Sequence, residues 1–504
     1  MKASVIDLGF HSVKMITYDV TGDGELRPLG KKSYKAKLGE GLDETGFLGP
    51  GPIRRAISSL KAMKETAALE SVKLVLPIAT SAVREAANEG DFLKQVVDET
   101  GIRLRVLSGE EEALLSYAGA IGFSGSPDSI FFDLGGGSLE LVASWNSRVE
   151  SVLSLPLGAL RLSYAFGRGD GTFSKQDFQK MEREVSELLP RKKELRVERG
   201  TRITGVGGVL RALARLDMAL TGYPLAKLHN FSVSYEAVEG MSRMLLKMSR
   251  DELTELAAIS NRSETIVAGT FVVKALMKAT GASSLTLSTR GLRDGALAMF
   301  LQNPACFHEG TISRSQVDSY VVAAARAKKR YWPVLATFRK TGLVDARQCE
   351  VLAEAHRLAQ CVTPTTDATA FFFSAMGVDS PLFHSDQLLA TLAALSSRDP
   401  KSAQSFLEEY RRLLKRRDRK ALQRLTAAFA IADLVDRCGA KVKLKRRSGS
   451  LVMSVSSGGA NLPVALLNER AEALAEAFKV GTRLALEPRR PYADHPSLVG
   501  ASSS

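Results

Sequence analysis

Cysteine is scarce. Only Cys306, Cys349, Cys361 and Cys438 occur in 504 residues, far apart and with no C-x-x-C spacing. That excludes a disulfide-stapled scaffold and reads as reduced thiols in a cytosolic protein. Long hydrophobic runs are missing too. The longest, near Ala368–Val378 and Leu425–Val435, fall short of the roughly 20 residues that cross a bilayer, and Asp433 interrupts the second. The N-terminus carries no secretory apolar core; it enters a short apolar stretch containing Asp7. A cytoplasmic protein with no membrane segment is expected. Acidic charge is in deficit: 69 Lys and Arg against 55 Asp and Glu leave +14, with a pI near 9.5. A surplus of that size favours a polyanionic partner, whether nucleic acid, an anionic membrane or a phosphate-rich molecule. The apolar share of 45% and charged share of 25% exclude collagen-like and wholly disordered chains. The length implies about two to four domains.

What is present is an internal repeat. Ser4–Ile16 aligns without a gap on Ile130–Val142, and both read as strand, Asp-Leu-Gly-x-x-Ser, strand. Glycine lets backbone N–H groups point into a concavity and approach an anion closely. The serine adds a donor, and a carboxylate at a strand end can hold a hard divalent cation. Two such hairpins face to face would grip a chain of phosphates. A third cluster, Gly205-Val206-Gly207-Gly208, ends a strand and leads into an amphipathic helix over Val209–Met218, which puts helix N-terminal amides at a turn.

Between the repeats, Leu74–Ala79 reads as a strand feeding a helix near Ser81, and Arg103–Leu107 as a strand running into Ser108-Gly109-Glu110-Glu111-Glu112-Ala113. Ser108 is a natural N-cap, and acidic residues suit a first helical turn. The sharper reading is that one of them faces the cleft as a general base: hydrolysis of a phosphoanhydride needs a water oriented and relieved of its proton, and a carboxylate across from Asp133 and Glu140 could do this. Residue type alone does not choose among the three glutamates.

These motifs, with Ala79-Thr80-Ser81-Ala82-Val83-Arg84-Glu85-Ala86 and Arg290-Gly291-Leu292-Arg293-Asp294-Gly295, resemble the exopolyphosphatase / guanosine pentaphosphate phosphohydrolase family of the actin, hexokinase and heat-shock ATPase superfold. The resemblance spans residues 1 to about 300. It implies an α/β fold: two actin-like lobes over 1–124 and 125–301, a helical HD-like domain over 312–440, and a small α+β end over 441–487. The implied activity is release of terminal phosphate from inorganic polyphosphate, or of the 5′-γ-phosphate from guanosine pentaphosphate. Glu112 falls on the family's base, and Arg84 would lie near the phosphates. Asp133 and Glu140 would hold Mg²⁺ (or Mn²⁺). Phosphate binding would fall to Asp7, Gly9, Ser12, Gly135, Gly136, Gly137, Ser138, Gly205, Gly207, Gly208 and Arg293. Phe10, His11, Leu139, Val206, Val209 and Thr289-Arg290 depart from the family pattern and remove several hydroxyls. The competing reading is therefore a polyphosphate or nucleotide sensor that has lost turnover. His11 itself reads as a polar turn residue rather than a phosphate ligand.

After Phe300 the pattern changes. Gln302–Thr311 reads as a linker, and helical periodicity dominates from Ser313 to Arg437. His308, His356 and His384 are the histidines of this region, none followed directly by Asp, and Phe371-Phe372-Phe373 stands where an HD dyad would fall; an HD-like module here is expected to hold no metal. Arg411, Arg412, Lys415, Arg416, Arg417, Arg419 and Lys420 crowd ten residues, opposed there only by Asp418. Lys441, Lys443, Lys445, Arg446 and Arg447 form a second cluster on a hairpin edge. Two such runs suggest a track for a long polyanion, and a homodimer pairing them is left open. Ala460–Lys479 reads as a helix, Val480–Leu486 as a strand, and 488–504 as a disordered tail.

Overall fold

The apolar run Ala3–Leu8 is buried residue for residue, as a strand covered on both faces must be. It forms β1 (Lys2–Leu8), the centre of a five-stranded sheet with β2 (Ser12–Val20), β3 (Leu26–Lys35), β4 (Leu74–Ala79) and β5 (Arg105–Val106), in the order β3-β2-β1-β4-β5. A computed structural model describes residues 1–486 except 23, 125–127, 169–170, 192–194, 196–201, 260–261, 309–310, 329–332, 362–366, 448–449 and 457–462. The tail expected over 488–504 lies outside the described residues.

The internal repeat extends well beyond its two turns. The second sheet comprises β6 (Ser129–Leu134), β7 (Leu139–Trp145), β8 (Arg148–Leu155), β9 (Ile203–Gly207), β10 (Ser232–Ser234) and β11 (Ser284–Leu287). Read from one edge it runs β8-β7-β6-β9-β11-β10. Both sheets therefore have an antiparallel ribbon beside a parallel extension, with β1 and β6 as equivalent central strands. The strand expected over Arg103–Leu107 pairs only at Arg105–Val106.

The Gly109–Ser124 helix is apolar nearly all round, which marks a helix buried on every side. Its Leu114, Leu115 and Ile121 share one core with Val5 of the first sheet and Phe131 of the second. The Leu292–Gln302 helix crosses it at glycines: a Cβ on Gly295 would stand 1.9 Å from the Leu115 carbonyl oxygen, and one on Gly119 2.1 Å from that of Gly291. No side chain fits between the two backbones there.

The first compact unit spans Met1–Lys329 and the second Arg330–Ser504. Two sequence readings change as a result. Gln302–Thr311 is not a simple linker, because Ala305–His308 is helical and Phe307 is buried with Arg105 over its ring at 4.5 Å. The Arg314–Lys328 helix belongs to the first unit rather than to a helical domain beginning at 312. Val317 and Val321 enter its core, and the Val149 amide donates to Asp318 at 2.9 Å.

The second unit holds helices Pro333–Lys340, Ala346–Cys361, Ala368–Gly377, His384–Ser396, Pro400–Glu409 and Arg416–Arg437. They are followed by a small sheet of β12 (Lys441–Arg447), β13 (Ser450–Ser456) and β14 (Gly481–Leu486), with the Val464–Phe478 helix between the last two strands. Phe372 is buried and stacks on Phe406 with ring centroids 3.9 Å apart. Within the first basic cluster Asp418 pairs only with Arg417, at 3.7 Å, and its shorter contacts go elsewhere. It is buried, accepts from Arg347 at 2.6 Å and caps the Lys415 amide at 3.2 Å, while Arg416, Arg417, Arg419 and Lys420 stay exposed around it. Lys441, Lys443 and Lys445 project to solvent from edge strand β12, opposite the buried Val442 and Leu444.

Candidate active site

The two repeated turns close in the same way. The Gly9 amide donates to the Ser12 carbonyl at 3.1 Å, and the Gly135 amide to that of Ser138 at 3.0 Å. Strand register then sets Asp7 opposite Lys14, and Asp133 opposite Glu140. Both turns open onto one cavity of about 110 Å³ in the first unit. Glu112, Thr80 and Ser81 line it from the first lobe; Gly207, Gly208, Arg211, Arg262 and Arg293 line it from the second. Clefts that enclose a drug-sized ligand run to roughly 300–1,000 Å³. This cavity admits only the end of a long substrate.

The three glutamates part company at the start of the Gly109–Ser124 helix. Glu110 is exposed and pairs with Arg314 at 2.7 Å. Glu111 accepts from Arg105 at 2.5 Å and from the Ser108 amide at 3.0 Å, while Ser108 Oγ accepts from the Glu111 amide at 3.2 Å, a reciprocal capping box. Glu112 alone turns to the cavity, 9% exposed. Burial pushes its carboxyl up to about 7, against the pull of Arg84, with Asp133 and Asp7 adding to the rise. Glu140, 1% exposed, is raised well above the usual carboxylate range by burial and then by Glu112 and Asp133; Ser154 Oγ donates to it at 3.1 Å. Burial also raises Asp133, which accepts from Ser116 Oγ at 2.7 Å.

Cations face these acids. Arg293 donates to Asp7 at 2.6 Å. Lys14 is pushed down to about 8 by burial and then by Arg293, and Arg211 down to about 10 by burial and the same arginine. His11 lines the cavity, but burial and then Arg262 push it down to about 4, so it is neutral at physiological pH.

The Ppx/GppA phosphatase family pattern matches residues 17–303, more than half of the 504-residue chain. The chain belongs to that family. Exopolyphosphatase 2 of Mycobacterium tuberculosis is 30% identical over 310 residues, covering 58% of this chain and 97% of the relative. Exopolyphosphatase 1 of Mycobacterium leprae is 28% identical over 318 residues, covering 60% and 91%. Among solved structures, an exopolyphosphatase from Cytophaga hutchinsonii superposes with a TM-score of 0.55 at 24% identity, over 60% of this chain and 98% of its own. The Aquifex aeolicus Ppx/GppA family member gives 0.50 at 27% identity, over 60% and 98%.

Within this Ppx/GppA domain, thirteen of the fifteen residues read from sequence line the cavity: Asp7, Gly9, Ser12, Glu112, Asp133, Gly135, Gly136, Gly137, Ser138, Glu140 and Arg293 do, as do Gly207 and Gly208 among the glycines of the third cluster. Gly205 does not: it lies inside β9, where a Cβ would meet Leu210 and Phe132 at 2.3 and 2.6 Å, and so serves packing beneath the turn.

 Arg84 is the other exception. It lies behind Glu112 rather than among the cavity walls, donating to the Glu112 carboxylate at 3.0 Å and to the Leu107 carbonyl at 2.8 Å. Arg84→Gln is expected to raise the Glu112 carboxyl further, since one counter-charge and one hydrogen bond to its ionised form are lost. The acid limb of kcat/KM against pH should move up from about 7, which a pH–rate profile of the variant checks.

Sequence reasoning missed Lys14, Arg211 and Arg262, all on the cavity wall. Lys14 had a signal: in the repeat alignment it occupies the position of Glu140. Arg161 was missed too. It reaches from the Ala159–Phe166 helix of the second lobe to Asp43 at 3.1 Å and to Glu85, both in the first lobe, with its guanidinium over the Phe10 ring at 5.2 Å. Phe10 in turn fills the space over Gly137, where a Cβ would come within 2.4 Å of its ring. The departure from a hydroxyl at position 10 thus joins the two turns by packing.

Proposed function

We propose that this chain is an exopolyphosphatase, releasing orthophosphate from the end of inorganic polyphosphate by attack of water. The observation that carries the reading is Glu112. It is one carboxylate, isolated from its two neighbours, buried at the wall of a small cavity that is ringed by cations and two glycine turns. A base titrating near 7 is matched to proton abstraction at neutral pH.

In the proposed reaction the Gly9–Ser12 and Gly135–Ser138 turns cradle the terminal phosphate, and Lys14, Arg211 and Arg293 balance its charge. Glu112 orients a water and takes its proton as the water oxygen bonds to the terminal phosphorus. The bond from that phosphorus to the bridging oxygen breaks, and the shortened chain leaves with the electron pair. Arg84 keeps Glu112 aimed at the cavity.

Mg²⁺ (or Mn²⁺) suits the donor set. Asp133 and Glu140 are buried oxygen donors facing one another in register, and burial raises both, Asp133 against the pull of Lys14, Arg211 and Arg293 and Glu140 with its two carboxylate neighbours adding to the rise. Among the described residues no group of three Asp, Glu, His or Cys side chains converges as a metal cage. Mg²⁺ commonly takes one or two carboxylates and completes its shell with water and substrate phosphate, so a pair is enough. When bound, the ion would neutralise charge on the phosphoryl oxygens.

The test is a comparison of substrates. Purified protein with Mg²⁺ is offered long-chain polyphosphate, guanosine pentaphosphate, and ATP with sugars, and free phosphate is followed. Release from polyphosphate supports the reading; release from guanosine pentaphosphate alone moves the chain to the nucleotide branch. Binding of polyphosphate without release would make it a sensor.

The basic cluster of the second unit gives a separate prediction. Replacing Arg416, Arg417 and Lys420 together by Gln removes three exposed cations and should flatten the salt dependence of long-chain binding, as fewer counterions are released. Titrations at several salt concentrations check it; an unchanged slope would refute the track.

A further inference from the structure

The cations of the cavity continue past its mouth along one helix. Gly208–Thr221 starts at the cavity, with Gly208, Val209 and Arg211 on the wall. Arg215 follows Arg211 by four residues, on the same helix face and about 6 Å further along the axis. Arg211 is half-buried and Arg215 exposed. The Arg262 guanidinium lies against the first residue of this helix: a Cβ on Gly208 would stand 2.5 Å from its Cζ. A side chain at 208 would displace it.

This grouping is costly without a ligand. A helix N-terminus already disfavours positive charge. Burial lowers the Arg211 guanidinium, and Arg293, Arg262 and Arg215 lower it further, with Asp133 alone pulling the other way. Burial and then Arg215 lower Arg262. Among the described residues, no ion pair is formed by Arg211, Arg215 or Arg262, and nearby Glu264 is engaged by Lys37 at 3.4 Å. The array therefore runs from the acids at the cavity floor to solvent, unneutralised along its length. An anion that fills only the cavity would leave the outer end unmatched. A chain with a charge on every unit would match all of it.

We propose that Arg215 determines chain-length preference by holding the phosphates of a polyphosphate that trail out of the cavity along the Gly208–Thr221 helix. This rests on the exopolyphosphatase reading and adds a direction in which the substrate leaves the site. A nucleoside at the same position would place a ribose and an uncharged base where the array offers a cation.

The experiment compares wild type with Arg215→Gln, Arg215→Glu and Arg215→Lys on tripolyphosphate and on long-chain polyphosphate. Arg215 is exposed and outside the catalytic cavity, so the variants should fold. The expected result is a KM for the long chain raised by about fivefold in the Gln variant and further in the Glu variant. Values for tripolyphosphate should stay within about twofold, kcat should be unchanged for both, and Lys should restore most of the loss. The salt slope for long-chain binding should fall by about one. Equal changes for both lengths, or no change for the long chain, overturn the proposal. Direct binding of the same two polyphosphates is measured alongside. If wild type releases no phosphate from either, the exopolyphosphatase reading fails, and the binding data still decide whether Arg215 holds the long chain.

Discussion

Glu112→Gln is expected to slow phosphate release by about 10²–10⁴-fold, the usual contribution of a placed general base, while polyphosphate still binds. The amide keeps the shape of the side chain and one acceptor for Arg84, but it cannot take a proton from water. The pH dependence follows from the same group. Its carboxyl sits near 7, raised first by burial and restrained by Arg84. A base acts in its ionised form, so kcat/KM of the wild type should rise with pH through about 7 and level above it. The residual activity of the Gln variant should lack that limb. Because Asp133 adds to the rise of Glu112, Asp133→Asn should shift the limb downward as one like charge is removed. A Gln variant as active as wild type would show that another group activates the water.

Gly295→Ala carries the second large effect, and it acts on fold and site together. The added Cβ would stand 1.9 Å from the Leu115 carbonyl oxygen and 2.8 Å from the Gly119 amide nitrogen. Both are backbone atoms of the buried Gly109–Ser124 helix, so no side chain can turn aside. The two helices must separate, at about 1–3 kcal/mol or more. One of them carries Glu112 and Ser116; the other carries Arg293 two residues before the crossing. Separation shifts the Glu112 carboxylate relative to the Arg293–Asp7 pair, and a displacement of about 1 Å in such an array can cost on the order of 10²-fold in rate. A lowered melting temperature together with a lowered kcat is expected. An unchanged melting temperature would mean that the helices do not cross as closely as described.

The sequence was most legible where chemistry repeats. Asp7-Leu8-Gly9 and Asp133-Leu134-Gly135 announced two equivalent turns because glycine, carboxylate and hydroxyl recur at one spacing, and the sheets around them proved equivalent as well. Glu110, Glu111 and Glu112 were indistinguishable as residue types. Only the helix phase decides that the first meets solvent, the second caps the helix and the third meets the cavity. Arg84 belonged to a recognisable motif, but its place behind Glu112 depends on the single turn Ser81–Arg84 and on the Leu107 carbonyl, which no motif encodes. Arg262 stands some fifty residues beyond the third glycine cluster and reaches it through tertiary folding alone. The boundary after residue 300 was hidden because the Arg314–Lys328 helix looks like its helical successors. What assigns it to the first unit is the fit of Val317 and Val321 against a distant core.

Hydrolysis of polyphosphate in ¹⁸O-labelled water, with the released orthophosphate analysed by mass spectrometry, tests the role of Glu112 at the chain end most directly. One labelled oxygen in each orthophosphate from the first turnover, at a rate that collapses in the Glu112→Gln variant, is the expected result. Label retained in the shortened polymer, or release that persists undiminished in that variant, would contradict water attack on the terminal phosphorus guided by this carboxylate.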